Sequence, residues 1–433
     1  MECQTVLPAH TICPKAEGFL NVKRVLMIAY HFPPFAGSSG IQRTVCFARH
    51  LPQFGWHPLI LTAHPRAYEQ VSDDQLADMD GALVVERAFA LDSARHLSVK
   101  GRYLKFTARP DRWISWWLGA IPKGLSMIRK YRPDAIWSTY PIATAHKIGN
   151  TLQRLSGLPW IADFRDPMAQ PGYPADPKVW RSFKQIEERA LRSASRSVFV
   201  TTGAARFYRE HYPDLPPDRM VVIENGYDEE SFAELDAAAA GRNQLLPGTV
   251  TLLHSGVIYP SERDPTQLFQ ALRRMSDHGQ LRPGTLRVRL RASGHQSFLK
   301  KLIEEAGVER IVELAPPILH RDALEEMMRA DGLLILQASN CNDQIPAKVY
   351  EYLRCRRPVL ALTDPRGDTA GLLRRAGLDN IARLDSADEI AQGLKAFIDQ
   401  LSTGTAPLPD SDFVASASRL DRARELAALL DHA

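Results

Sequence analysis

The sequence predicts an α/β protein made of two Rossmann-like, doubly wound domains. A length of 433 residues favours two domains over one. Short apolar strands alternate with helices in two separate series, one beginning at Arg24 and the other at Val250. The clearest unit runs from Asp331 to Leu362, where an apolar strand, a polar loop, a helix and a second apolar strand follow one another.

The composition is that of an ordinary globular protein, with 45% apolar and 24% charged residues. A net charge of +4 is too small to predict nucleic-acid binding. Five cysteines, an odd number without metal-ligand spacing, favour a reducing cytoplasm. No apolar run reaches the roughly 18 residues that a membrane-spanning helix needs. Residues 1–21 lack the apolar core of a signal peptide and are expected to form an N-terminal extension.

The first series opens with a buried strand from Arg24 to Tyr30, a loop containing Gly37 and Gly40, and a helix over residues 41–54. Glycines between a strand and a helix N-terminus let the backbone approach a phosphate or a sugar closely. The same spacing also occurs in simple tight turns. A cleft role for Gly37 and Gly40 is therefore a hypothesis at this point.

Residues 95–132 carry ten Lys or Arg and a single acid, Asp111. Trp113, Trp116 and Trp117 occur in the same stretch and share one face of a helix. One interpretation is a stripe that packs on the core while the basic side faces solvent. The other is a surface that meets anionic lipid headgroups or a lipid-diphosphate acceptor.

A further strand ends in Asp163-Phe164-Arg165-Asp166. Because ligands bind at the carboxyl ends of parallel strands, these two acids and the arginine predict a cleft role. Asp163 is expected to hydrogen-bond a sugar hydroxyl or to orient the acceptor. The motif of residues 221–232 closes the first domain, and residues 233–248 connect the two domains.

In the second series, a strand from Val250 to His254 ends at Ser255-Gly256 and is followed by a loop with Arg263. A guanidinium suits a diphosphate because it donates two parallel hydrogen bonds. Pro346 is expected to open a helix whose first N–H groups, at residues 345–348, would hold an anion. Asp343 and Glu351 lie eight positions apart around this helix start, either as a cap and a solvated carboxylate or as contacts to two ends of one ligand.

These motifs, in this order, resemble the retaining glycosyltransferases of family 4, which have the GT-B fold. Asp343 and Glu351 stand at the two glutamates of the family's donor motif, and IPAKVYEYL matches a variant of it. The resemblance covers about residues 22–430. It implies domains at 22–232 and 249–412, and a tail, 413–433, that crosses back to the first domain.

The resemblance also implies a role for each site residue. Arg263, Asp163 and Asp343 would be catalytic. Donor binding would involve Gly37, Gly40, Gly256, Pro317, Ile318, Ile345, Pro346, Ala347, Lys348 and Glu351. Arg165, Asp166, Trp113 and Trp116 would lie on the acceptor side. No bound metal or cofactor is expected.

The implied reaction moves a sugar from a UDP- or GDP-sugar to a glycan or lipid-diphosphate acceptor, with retention, in surface polysaccharide or glycoconjugate synthesis. The expected location is the cytoplasm, with peripheral binding to an anionic plasma-membrane surface as an alternative. Two other classes remain open: a nucleotide-sugar epimerase of the same fold, and a non-catalytic membrane-docking or partner protein.

Overall fold

Two parallel sheets, one in each half of the chain, organise the computed structural model. The structure describes residues 22–36, 40–72, 83–98, 103–237, 244–282 and 284–433. Within these ranges, no helix combines the length and the apolar character that a bilayer crossing requires.

The first sheet has seven strands in the order β3-β2-β1-β4-β5-β6-β7. Its strands are β1 (Lys23–Ile28), β2 (Trp56–Ala63), β3 (Val84–Ala88), β4 (Ala135–Thr139), β5 (Trp160–Arg165), β6 (Arg196–Phe199) and β7 (Met220–Val222). The accompanying α-helices are α1 (Gly40–His50), α2 (Ser93–His96), α3 (Ser115–Tyr131), α4 (Ala143–Ser156), α5 (Pro177–Ser193) and α6 (Thr202–His211). The next helix, α7 (Glu229–Ala237), packs on the second domain through Phe232 and Leu235. The strand order reverses between β1 and β4, which opens a crevice at the carboxyl edge of the sheet.

The second sheet has six strands in the order β10-β9-β8-β11-β12-β13. Its strands are β8 (Val250–Ser255), β9 (Leu286–Arg291), β10 (Val312–Ala315), β11 (Gly332–Leu336), β12 (Val359–Leu362) and β13 (Ile381–Ala382). Its helices are α8 (Thr266–Asp277), α9 (Gln296–Ala306), α10 (His320–Arg329), α11 (Lys348–Arg354), α12 (Asp368–Arg375), α13 (Ala387–Thr403) and α14 (Ser411–Ser416). This sheet reverses between β8 and β11, so the strand ends that carry Ser255 and Leu336 flank its crevice.

The last helix, α15 (Arg419–Asp431), packs on the first domain. Its buried residues Ala423, Leu426 and Leu430 join the core formed by the first sheet and α1. Asp431 accepts hydrogen bonds from Lys23 Nζ at 2.7 Å and from Trp56 Nε1 at 3.0 Å. The chain therefore ends on the domain with which it began.

The two domains also meet at the N-terminus of α6. Gly203 N donates to Asp368 Oδ2 at 2.7 Å, and Thr201 Oγ1 donates to the Asp343 carbonyl at 2.7 Å. A Cβ at Gly203 would lie 2.6 Å from Asp368 Oδ2, so the close approach of the domains requires glycine here. Carboxylates near a helix N-terminus are favoured by its dipole.

Candidate functional site

A cavity of about 420 Å³ lies between the two domains at the facing edges of the sheets. The first domain contributes α1, the end of β5 and the turn after β7, and the second domain contributes the starts of α10 and α11. The C-terminal helix α15 closes a third side. The lining residues are Ile41, Gln42, Arg43, Cys46, Phe47, Arg165, Asn225, Gly226, His320, Ala347, Lys348, Glu351, Arg419 and Arg422.

This lining is strongly cationic. It contains Arg43, Arg165, Lys348, Arg419 and Arg422, against the single carboxylate of Glu351. Arg419 donates only to neutral acceptors in the structure: the Gly226 carbonyl at 3.0 Å, Gln42 Oε1 at 3.1 Å and Cys46 Sγ at 3.5 Å. An excess of positive charge inside a partly enclosed cavity favours a ligand with several negative charges.

Lys348, in the first turn of α11, is held in a fixed position by β8. Its Nζ lies 2.9 Å from His254 Nε2 and donates to the Ser255 carbonyl at 3.0 Å. His254 Nδ1 lies 3.0 Å from the Leu334 carbonyl, which can only accept, so Nδ1 carries the ring proton and Nε2 accepts from the lysine. Burial, reinforced by Arg263, holds the pKa of Lys348 well below its usual range. An anion beside Lys348 would raise this pKa again.

Glu351, one turn further along α11, also faces the cavity. Its Oε1 lies 3.2 Å from Nε2 of the more exposed His320, at the start of α10. The hydrogen bond to Glu351 raises the pKa of His320, although burial opposes the shift. The imidazole ring of His320 therefore orients the Glu351 carboxylate, and the sequence analysis did not identify His320 as a site residue.

Gly256 and Arg263 lie beside Lys348. Gly256 has φ of +120°, and a Cβ there would lie 3.2 Å from Lys348 Nζ, so a side chain would be both strained and crowded. Arg263 Nη1 donates to the Val257 carbonyl at 2.5 Å, and its guanidinium lies 5.4 Å from the Tyr259 ring centroid. Arg263 does not line the cavity, but it is near enough to depress the pKa of Lys348.

Asp163, which is predicted to hydrogen-bond a sugar hydroxyl or to orient the acceptor, does not line the cavity. Asp163 is fully buried at the end of β5. Arg43 donates to both of its oxygens, from Nε at 2.9 Å and from Nη2 at 3.1 Å, and Thr139 Oγ1 donates at 3.2 Å. Arg43 also donates to the carbonyls of Ile223 and Glu224. Asp163 therefore orients Arg43, which lines the cavity and holds the turn after β7.

Asp343, for which a ligand contact is one of the predicted roles, has a partner in the first domain. Asp343 Oδ1 pairs with Arg206 Nη2 of α6 at 3.2 Å, and its carboxylate lies against Gly203. It does not belong to the cavity lining. The loop before α11 is drawn toward the helix N-terminus of the other domain, so Asp343 acts in the domain interface.

The tryptophans belong to the core of the first domain. Trp116 is fully buried, which excludes the predicted contact with an acceptor. Trp113 precedes α3 and packs against Tyr30, with ring centroids 4.9 Å apart. The helical spacing of these rings reflects packing of α3 on the sheet, the first of the two interpretations.

The remaining predicted residues take varied places. Arg165 lines the cavity with φ of +63°, and its Nε is buried without a hydrogen-bond partner in the structure. The neighbouring Asp166 is half-buried, and burial raises its pKa while Arg165 lowers it. Gly40 begins α1 directly before the lining residue Ile41. Gly37 lies outside the described residues.

Of the residues predicted to bind the donor around the start of α11 and in the loop before α10, only some line the cavity. Ile345 is buried in the core of the second domain, Pro346 is half-buried, and Ala347 lines the cavity. Pro317 and Ile318 are exposed in the loop between β10 and α10, ahead of His320, and do not line the cavity.

Several lining residues were not found from the sequence. Arg43 stands within a helix that reads as an ordinary amphipathic segment, and Arg419 and Arg422 lie in the tail, far from any motif. The one sequence-based indication for Arg419 and Arg422 was the expectation that the tail crosses back to the first domain. It placed the helix near the site without identifying which side chains reach it.

Together the two facing sheets, the interdomain cavity and the crossing helix define a GT-B protein. Residues 39–226 match the family described as Glycosyl transferase 4-like domain. This match to part of the chain agrees with the family resemblance found in the sequence, and the two parallel-sheet domains confirm the predicted fold class.

Several known proteins are similar to this chain in part of the sequence or in fold. A D-inositol 3-phosphate glycosyltransferase of Kineococcus radiotolerans is 26% identical over 202 residues, which cover 45% of this chain and 44% of that protein. This chain thus spans less than half of the length of the curated relatives it matches. Sucrose-phosphate synthase from Thermosynechococcus elongatus superposes with a TM-score of 0.59 at 12% identity, over 94% of this chain and 96% of that one. A UDP-GlcNAc 2-epimerase from Neisseria meningitidis reaches 0.53 at 11% identity, over 95% and 100%. Both similarities concern the fold.

Proposed function

We propose that this protein transfers a sugar from a nucleotide-diphosphate sugar to an acceptor hydroxyl, with the diphosphate in the interdomain cavity. The observation that carries the proposal is the cationic lining, five basic side chains against one carboxylate, shared between both domains. The volume, about 420 Å³, is in the range of small-molecule sites. The glycosyl transferase 4-like domain supports the same activity.

The chemistry follows from the charges. The bond between the anomeric carbon and the diphosphate oxygen breaks, and its electron pair leaves with the diphosphate. The acceptor oxygen bonds to the anomeric carbon, and its proton passes to the leaving diphosphate. Lys348, Arg165 and Arg419 stabilise the charge that develops on the leaving group, which is the kind of electrostatic stabilisation that contributes most to such reactions. Retention of configuration is proposed from the family resemblance.

The two ends of the cavity have different roles in this proposal. Glu351, at one end of the cavity, binds the ribose, and the loop with Pro317 and Ile318, which lies outside the cavity lining, binds the base, uracil or guanine. Arg165 and Asp166 face the acceptor, a glycan or a lipid diphosphate. The cytoplasm is the proposed location, and the basic stretch of residues 95–132 would favour the anionic inner surface of a membrane.

Ligand-dependent unfolding tests the donor site. We expect UDP or GDP, and the corresponding sugar nucleotides, to raise the melting temperature, because a ligand at 100 times its Kd adds about 2.7 kcal/mol. Glu351→Ala should weaken this effect, whereas Glu304→Ala, on the exposed side of α9, should not. No shift with any nucleotide diphosphate or sugar nucleotide would contradict the proposal.

Product analysis tests the reaction. Incubation with donor and acceptor should give a glycoside whose anomeric configuration, read by NMR, matches that of the donor. A product with inverted configuration would contradict the proposed retention but not the proposed sugar transfer. Conversion of a donor sugar to its C2 epimer without an acceptor would instead assign the epimerase alternative.

A further inference from the structure

A second cavity, of about 500 Å³, lies on the first domain between α3, α4 and α5. It shares no lining residue with the interdomain cavity. Four cations surround it: Arg109 before α3, Lys147 and Arg154 on α4, and Arg189 on α5. Among the described residues, its lining contains no Asp or Glu. This composition differs from that of the surrounding surface, where Arg112, Lys123, Lys184 and Arg192 are paired with acids.

Among the carboxylates of the described residues, Asp111 acts on Lys147 from a distance and without a salt bridge. None of the four cations forms an ion pair with a carboxylate of the described residues. Burial lowers the pKa of Lys147, Asp111 opposes this shift, and Arg189 adds to it. Asp111 itself is occupied, because it accepts from Thr144 N at 2.8 Å and from Trp113 N at 3.1 Å. Mutually repelling, unpaired cations around a concave site are stabilised when an anion binds between them.

Buried polar groups also face this cavity without partners. His146 is fully buried and lines the cavity, and its Nε2 has no hydrogen-bond partner in the structure. Burial lowers the pKa of His146 to about 3, so the ring is neutral and its other nitrogen, Nδ1, is engaged with Ser138 Oγ at 2.8 Å. Asn150 Nδ2 is likewise buried and unpartnered. Buried polar atoms normally have partners, so these two mark positions where a ligand could supply them.

The rim of the cavity is apolar and exposed. Leu155 lines the cavity and is 60% exposed. Lys147 Nζ lies 4.8 Å from the Trp117 ring centroid, which holds the ammonium at the mouth. A polar, cationic interior with an apolar edge fits a phosphate group that is attached to a less polar body.

We propose that this cavity is a second anion site, which binds a diphosphate group through Arg109, Lys147, Arg154 and Arg189, independently of the interdomain cavity. The group can belong to a soluble phosphate compound or to the headgroup of a lipid diphosphate. The chemistry is the same in both cases, and only the attached body differs. The site does not depend on the proposed transfer reaction.

Titration calorimetry with inorganic pyrophosphate tests the site. Arg154→Ala/Arg189→Ala removes two exposed cations and should weaken this binding event by about tenfold or more. Arg129→Ala/Lys130→Ala removes the same charge from the exposed end of α3 and should leave it unchanged. Raised salt should weaken the binding, because exposed charges are screened. Lys348→Met, in the interdomain cavity, should retain this event and lose only binding at the other cavity.

Vesicles identify the source of the phosphate. Phosphatidylcholine vesicles with and without a polyprenyl diphosphate are sedimented with each variant. If the wild type sediments only with vesicles that contain the diphosphate lipid, and the Arg154→Ala/Arg189→Ala variant does not, the site binds a lipid headgroup. Pyrophosphate binding without sedimentation assigns a soluble phosphate compound. If the Arg154→Ala/Arg189→Ala variant binds pyrophosphate and vesicles as the wild type does, the proposal is wrong.

Discussion

Replacing Lys348 by Met separates binding from stability. In the unliganded protein the ammonium is desolvated and makes two hydrogen bonds, to His254 Nε2 and to the Ser255 carbonyl. Loss of these bonds and relief from burying a desolvated amine offset each other, so the free energy of unfolding should change by no more than about 1.5 kcal/mol. The contact with a diphosphate has no such compensation. Its loss should cost about 2–5 kcal/mol of binding, roughly 30-fold to several thousand-fold in Kd.

Calorimetry with UDP and GDP, together with thermal unfolding, measures both effects. The depressed pKa of Lys348 adds a second readout, since an anion raises this pKa again and binding takes up a proton. The binding enthalpy of the wild type should therefore differ between Tris and HEPES, and that of Lys348→Met should not. Lys301→Met, on an exposed part of α9, is the matched control. Unchanged nucleotide binding in Lys348→Met, or unfolding of this variant, would refute the reasoning.

Three further predictions follow from the contacts of the site. Asp163→Asn leaves the buried guanidinium of Arg43 without its counter-charge and should lower the free energy of unfolding by about 3–5 kcal/mol, as measured by urea denaturation; a loss below 1 kcal/mol would contradict the buried pair. Gly203→Ala places a Cβ 2.6 Å from Asp368 Oδ2 and should open the domains, seen as a larger radius of gyration in solution scattering and weaker nucleotide binding; an unchanged radius would argue against this interface. Pairing with Glu351 raises the pKa of His320 above 6.5, so its contribution to stability is complete below pH 6.5 and is lost as the pH rises through the raised value. The difference in melting temperature between the wild type and His320→Gln should shrink over that range, and a pH-independent difference would refute it.

The sequence predicted the strands and helices well wherever the pattern is local. The apolar run before the polar loop at residues 337–344 became β11, and the following helix and strand became α11 and β12. The short edge strands β3 and β13 were not predicted, because each makes contact with one neighbouring strand and carries a weak apolar pattern. Periodicity reports burial, and edge strands bury little.

The site was less predictable, because its charges depend on long-range partners. Asp163 stands at the carboxyl end of a strand, where a ligand contact is expected, but its partner Arg43 is 120 positions away. Asp343 occupies a donor-motif position, but Arg206 of the other domain takes its carboxylate. A sequence gives the position of a side chain along its own element. It does not give the group that comes from another element to meet it.

The distribution of charge over the two domains suggests how closure and binding are linked. Arg43, Arg165, Arg419 and Arg422 all belong to the first domain or to the helix packed on it, whereas Lys348 belongs to the second. Closing the domains therefore brings Lys348 toward the arginines of the first domain, which disfavours its charged form unless an anion lies between them. The carboxylates at the α6 N-terminus act in the other direction, since closure gives them helix amides and an arginine as partners. A diphosphate between the domains would turn the repulsion between Lys348 and the arginines into attraction through the anion. The contacts of the carboxylates at the α6 N-terminus would stay the same. Binding should therefore shift the protein toward its closed form.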